Sequence, residues 1–293
     1  MWLGWQPALA IAAFLLVAGL VARRRAGRVA AVGAMALEAA LVLTLYATWR
    51  FVMALRSTRL DEGLAHGRTV FDIEKALHFG NEAEMARWLL AHPTIAHLAN
   101  GFYATVHAPA LLVFLVWLFL RHRDHYPRVR NVVAAVTGMC LFMHWFPVAP
   151  PRMYPQLGFV DVARSLGESV YGPVGQGISN QVSALPSLHA GWALIIAFGV
   201  IVASPSRWRW WIVAHPVLTM LVIAATANHW WLDSIAAAAV LGVALAAQWA
   251  IGRVWARSRG RAALEAESVD LTEPALGPDP LEPFEPAPAP ATA

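Results

Sequence analysis

Cysteine, lysine and charge are all scarce in this chain, and each scarcity excludes something. One cysteine, Cys140, occurs in 293 residues. A single thiol cannot close an internal disulfide, so no redox framework holds the fold; inside its apolar run it reads as a small buried hydrophobe. Charged residues make up 14% of the chain, against roughly a quarter in soluble globular domains, which excludes an ordinary water-soluble domain. Lysine occurs once, as Lys75. No positive cluster precedes the first apolar run; the arginines follow it. A cleaved signal peptide has the opposite order, so this run reads as a retained helix.

What is present is hydrophobic sequence, 58% of the residues, in runs that approach the ~20 residues needed to cross a bilayer. The patterning predicts an all-α, polytopic membrane helix bundle with about seven transmembrane segments, near 3–22, 30–55, 100–120, 131–149, 188–204, 210–227 and 231–252. Fourteen arginines fall in alternate connections: 23, 24, 25 and 28; 121, 123, 128 and 130; 207 and 209; 253, 257, 259 and 261. The positive-inside rule then sets the N-terminus outside and the C-terminus in the cytoplasm, as in a multi-pass inner (plasma) membrane protein. Residues 264–293 hold seven acids and no Lys or Arg, leaving the body with 22 basic against 11 acidic residues, about +11. Membrane topology accounts for that excess, so no nucleic-acid partner is implied; the partner implied is the bilayer. The expected division is a membrane domain over 1–262 and an acidic Pro/Ala-rich disordered cytoplasmic tail over 263–293.

Two segments remain on the outer side. Residues 56–99 carry Val70, Ile73, Leu77, Met85, Trp88 and Leu89 near helical spacing, which predicts amphipathic helices lying on the interface. Residues 150–187 are Gly- and Pro-rich and open onto the fifth span.

Three stretches on this outer face carry chemistry. In NHWWLD, His229 and Asp233 are four residues apart and share a helix face. A carboxylate there fixes one imidazole nitrogen and leaves the other as a nucleophile or base; equally, the pair could only hold helices together. In SALPSLHAGW, Ser183 is a candidate cap, Pro186 suits a first helical turn, and Ser187 and His189 follow at a helix N-terminus that favours an anion. The plainer reading is a capping serine and a surface histidine. In APPRMYP, Arg152 could grip a phosphate through two parallel hydrogen bonds or snorkel at the interface. The convergence of four ionisable groups on one membrane face outweighs any one of these motifs.

PSLH, an H-x-x-x-D about forty residues later and an upstream PPR together resemble the type 2 phosphatidic acid phosphatase superfamily over about residues 70–250. The form is most similar to the branch of inositol phosphorylceramide synthase, an inositolphosphotransferase. The resemblance implies a six-helix core plus an N-terminal helix, and a metal-independent enzyme without cofactors that acts on a membrane lipid phosphate. It assigns catalysis to His229 as nucleophile, Asp233 as its orienter and His189 as general acid. Arg152, Ser187 and Asn228 would bind the phosphate. Two cations of the broad pattern are replaced here, by Trp145 and Ile223. Tyr103, His107 and His144 are candidate supporting residues; Asn100, Tyr103 and His107 match an N-x-x-Y-x-x-x-H feature of the branch, and Glu74 and Glu82 fit it loosely without a catalytic expectation.

Other readings keep parts of this pattern. A phosphoinositol headgroup transferase would use the same residues with a lipid alcohol as acceptor. A non-catalytic haem-binding protein would draw on His107, His144, His215 and His229, but haem wants facing histidines at one depth. A transporter would show interrupted helical repeats. Glu38 is expected to face a polar partner within the bundle, His215-Pro216 to mark a helix distortion, and Trp145, Trp230 and Trp231 to lie in an interfacial aromatic belt.

Overall fold

The computed structural model describes residues 3–54, 59–143, 145–169 and 181–272. Among the described residues it is helical without a strand, an all-α bundle as the hydropathy pattern predicts. The α-helices are α1 (Trp5–Arg23), α2 (Gly27–Ala54), α3 (Leu60–Ala76), α4 (Glu82–Leu90), α5 (Pro93–Thr105), α6 (His107–Arg121), α7 (Tyr126–Met143), α8 (Val162–Ser165), α9 (Leu188–Ala203), α10 (Ala214–Ala225) and α11 (Trp231–Thr272). The chain divides after Leu245; the described part of the second unit is the continuation of α11.

Among the described residues, four helices are each long and apolar enough to cross a membrane: α1, α2, the stretch Arg207–Ala225 and α11. α5 and α6 pass together as a fifth, bent by 51°. Of the other two expected spans, α9 has 16 residues, about 24 Å at 1.5 Å per residue and short of the ~30 Å hydrocarbon core. α7 begins at Tyr126 and includes Arg128 and Arg130, so it is less apolar than the run 131–149 suggested, and it stops at Met143.

The bend between α5 and α6 has a local cause. Pro109 offers no N–H, and its ring would collide with the carbonyl four residues back, that of Thr105. α5 therefore ends at Thr105 and α6 restarts at His107. The expected helix over 100–120 is thus two helices, the first beginning at Pro93, where proline suits the first position. The distortion expected at His215-Pro216 is a 3-10 turn over Arg207–Val213 that passes into α10. α11 continues to Thr272, past the expected boundary at 262/263; the rest of the predicted tail, 273–293, lies outside the described residues, as do 170–180 of the outer loop.

α1 and α2 pack along each other. A side chain at Gly33 would run into the backbone of Ala22 and Arg23, so a small residue lets the helices approach. Glu38 on α2 finds the expected polar partners: Arg130 Nη1 donates to its two oxygens at 2.6 and 2.8 Å, and the Tyr126 hydroxyl donates at 3.2 Å.

The segment Pro147–Tyr154 is held from three sides. Ala149 N–H donates to Gly63 O of α3 (2.8 Å), and the Tyr154 hydroxyl donates to Leu64 O (2.6 Å). Val148 pairs with the 182–184 segment as an isolated parallel bridge. Trp230 Nε1 donates to Ala149 O at 2.9 Å. Trp230 is fully buried, which corrects its placement in an aromatic belt: its indole nitrogen is satisfied inside the protein, and only Trp145 and Trp231 retain exposed surface.

α3 lies against this segment because Gly67 has no side chain. A Cβ there would meet the Tyr154 hydroxyl and the Ala149 carbonyl. Gly67→Ala should therefore cost about 1–3 kcal/mol, the usual range for overpacking, read as a lower Tm of the detergent-solubilised protein. Gly101→Ala, where nothing lies within 4 Å of the added carbon, should leave Tm unchanged or slightly raised.

Candidate active site

After α10 the chain reverses through Thr226–Trp230 into α11. Asn228 and His229 both donate their N–H to Ile223 O at 3.1 Å. Ala227 takes φ 55°, a left-handed conformation usual for glycine just past a helix end and costing an alanine about 1–2 kcal/mol. The turn is held by Arg152, whose N–H donates to Ala227 O at 2.9 Å. Asn228 donates Nδ2–H to Thr226 Oγ1 (2.9 Å) and accepts from Arg152 Nη1 at 2.9 Å. The Thr226 hydroxyl itself donates to Val222 O, so each group has one consistent role. Arg152 also lies 3.9 Å from the Asp161 carboxylate and is buried. The guanidinium is thereby brought beside Asn228, which excludes a snorkelling role.

His229 Nδ1 is 3.0 Å from Asp233 Oδ2 and 3.0 Å from Ala184 O. Both neighbours are acceptors, so Nδ1 carries the proton and Nε2 keeps a lone pair. Asp233 is completely buried; its Oδ2 also accepts the Trp230 N–H at 2.9 Å. Its backbone carbonyl accepts the Ser187 N–H at 3.1 Å. That bond ties the start of α11 to the start of α9.

α9 is capped by Ser187, not Ser183: the Ser187 Oγ accepts from Ala190 N–H at 3.3 Å, and Pro186 precedes the helix rather than opening it. Ser183 instead takes part in the bridge to Val148. Leu188 and His189 then present first-turn N–H groups that have no intrahelical acceptor by geometry. The His189 ring is 5.4 Å from that of His229, 4.6 Å from Tyr103 and 4.6 Å from His107. The break at Val106 allows this, since Tyr103 ends one helix and His107 starts the next. His107 and His189 Nδ1 are buried without a hydrogen-bond partner. Asn100 points elsewhere and donates to Glu168 at 3.1 Å. His144 lies outside the described residues.

Two residues matter more than the sequence indicated. Glu74 Oε1 accepts the Leu232 N–H at 2.7 Å, and Glu82 Oε1 accepts the Trp231 N–H at 3.3 Å. Both acids are 4% exposed. With Asp233 on Trp230, three carboxyls serve three successive N–H groups where α11 begins. The one sequence signal was register: Glu74 lies four residues from Val70, on the apolar face of α3. Beside the turn, an apolar cavity of roughly 440 Å³ is lined by Met85, Trp88 and Leu89 of α4, Ala99 of α5, and Val222 and Ala225 of α10. Ala99 lies four residues before Tyr103 on α5, and Ala225 three residues before Asn228.

The geometry predicts the His229 tautomer. Solid-state ¹⁵N NMR of histidine-labelled protein should show neutral His229 protonated on Nδ1. In Asp233→Ala a population protonated on Nε2 should appear; an unchanged spectrum would mean that Ala184 O alone fixes the ring.

A protein-family model described as the PAP2 superfamily matches residues 68–247 of the chain, a span that contains each of these groups. No curated protein and no solved structure matches significantly.

Proposed function

The chain belongs to the PAP2 superfamily, and on that premise we propose that it is a membrane lipid-phosphate phosphatase or phosphotransferase acting through a phosphohistidine at His229. The observation that carries this reading is the His229 ring, bound through Nδ1 with Nε2 left to react, 5.4 Å from a second buried histidine and next to the Arg152–Asn228 pair.

In the first step Nε2 attacks phosphorus. The bond to the lipid oxygen breaks, and His189, which takes up a proton when the phosphate anion binds beside it, gives that oxygen the proton. The imidazolium formed on His229 is stabilised by Asp233. In the second step His189, now neutral, takes a proton from water or an alcohol, which attacks phosphorus; the P–N bond breaks and His229 returns to its neutral form. Arg152, with Asn228 beside it, and the first-turn N–H groups of α9 balance the charge on the phosphoryl oxygens. Phosphoryl transfer asks mainly for positioning and charge stabilisation, which this set can supply without a metal. Ile223 is fully buried and Trp145 is half exposed, so the two cations of the broad pattern have no substitute at their own positions, and Arg152 carries more of that task.

A lipid substrate is supported by the apolar cavity, which would take a hydrocarbon chain while the headgroup reaches Asn228 and His229. The arginine bias of the connections supports an extracytoplasmic site and a cytoplasmic tail.

Incubation with ³²P-labelled phosphatidate, polyprenyl pyrophosphate and sphingoid phosphate should give a base-stable, acid-labile phosphoprotein with at least one of them. His229→Ala should abolish the label and lower turnover by about 10⁴-fold or more; label retained in that variant rules out His229. His189→Gln should lower turnover by about 10²–10⁴-fold, the usual share of general acid–base catalysis. The acceptor is read separately. Supplying phosphatidylinositol with a ceramide or diacylglycerol should yield phosphoinositol transfer if the headgroup-transferase alternative holds, and free phosphate from the monoesters if it does not.

A further inference from the structure

We propose that Glu74 and Glu82 are positioning residues which share one proton, held by Glu74, and that loss of this proton releases the first turn of α11 and disables the site at alkaline pH. The proposal rests on the reading of His229 and Asp233 as the reacting pair and adds a control on it.

The two acids come from different helices and face one target. Glu74 accepts from Leu232 N–H and Glu82 from Trp231 N–H, and these two residues separate Trp230 from Asp233. A displacement of this turn moves Asp233 Oδ2 away from His229 Nδ1. Two buried carboxylates side by side, with Asp233 close by, cannot all remain ionised.

Helix ends decide which one is neutral. Glu82 is the first residue of α4 and also accepts from the first turn of α11, so two helix N-termini favour its charge. Glu74 lies in the last turn of α3, where the dipole disfavours a negative charge. Its Oε2 makes no hydrogen bond within the protein, and Glu82 is the charged group that acts on Glu74 most strongly. A proton on that oxygen would remove the repulsion between the two.

Burial, then the Glu82 carboxyl, raise Glu74 from its ordinary range to about 9; burial also raises Glu82. The charged groups acting on Glu74 are Glu82 from α4 and Asp233 from α11; Lys75 on its own helix is exposed. The folded carboxyl holds its proton more tightly than the unfolded one. Its contribution is therefore complete below about 4.5 and declines as pH rises towards about 9.

The substitution Glu74→Gln tests this in the full-length protein. The amide keeps an oxygen for Leu232 N–H and a donor for Glu82, but cannot lose a proton. On whichever lipid phosphate the wild type turns over, the activity ratio of Glu74→Gln to wild type should rise about fourfold between pH 7 and 9.5 and about tenfold by pH 10, the loss expected of a proton held to about 9. At pH 7 Glu74→Ala should fall at least tenfold below Glu74→Gln. Infrared spectroscopy of the wild type in D₂O gives a readout independent of turnover and of whether the variants fold. It should show the carbonyl stretch of a protonated buried carboxyl at pH 7, disappearing as pH passes about 9. A flat activity ratio, equal damage by Gln and Ala, or the absence of that band at pH 7 would overturn the proposal. A wild type inactive on all substrates would sink the phosphoryl-transfer reading instead, while the infrared titration would still decide on the shared proton.

Discussion

A carboxylate without access to solvent, Asp233, is the group on which the rest of the site depends. An isolated buried charge is costly, and here its bonds are the site itself. One oxygen holds His229 and the Trp230 N–H, and the backbone carbonyl of the same residue holds the start of α9. The turn that carries His229 and the helix that carries His189 therefore share a common anchor. Small errors at such an anchor are expensive, because misplacement by about 1 Å can remove much of the benefit of orientation.

Around this anchor the chain uses irregular backbone where it places chemistry and regular helix elsewhere. The proline-bearing segment Pro147–Tyr154 would be a poor helix. Clamped between α3, the 182–184 segment and Trp230, it holds Arg152 against the turn that carries Asn228. Ala227 accepts a strained conformation at that turn, and the Arg152 N–H bonds to its carbonyl. Strain of this kind persists where the surroundings over-determine the backbone.

Much of this was legible in the sequence. Periodicity and run length give the helical class, and spacing alone put His229 and Asp233 on one face. Spacing could not show what lies opposite. Trp230 reads as interfacial because tryptophan often is; it is buried because Ala149 O sits in reach of its indole nitrogen. Ser183 and Ser187 are equally good caps on paper, and the pairing of the 182–184 segment with Val148 leaves Ser187 at the helix start. The bend at Val106 has its cause in Pro109, which the length of an apolar run does not register. Glu74 and Glu82 were hardest to see, since their partners are backbone N–H groups about 150 positions away.

The stereochemical course at phosphorus tests the central claim most directly. Two in-line displacements, through His229 and then by the acceptor, each invert the phosphoryl group. With a lipid phosphate made chiral by oxygen isotopes and an alcohol as acceptor, the account predicts overall retention of configuration. Overall inversion would mean direct attack by the acceptor, and would contradict a covalent intermediate on His229.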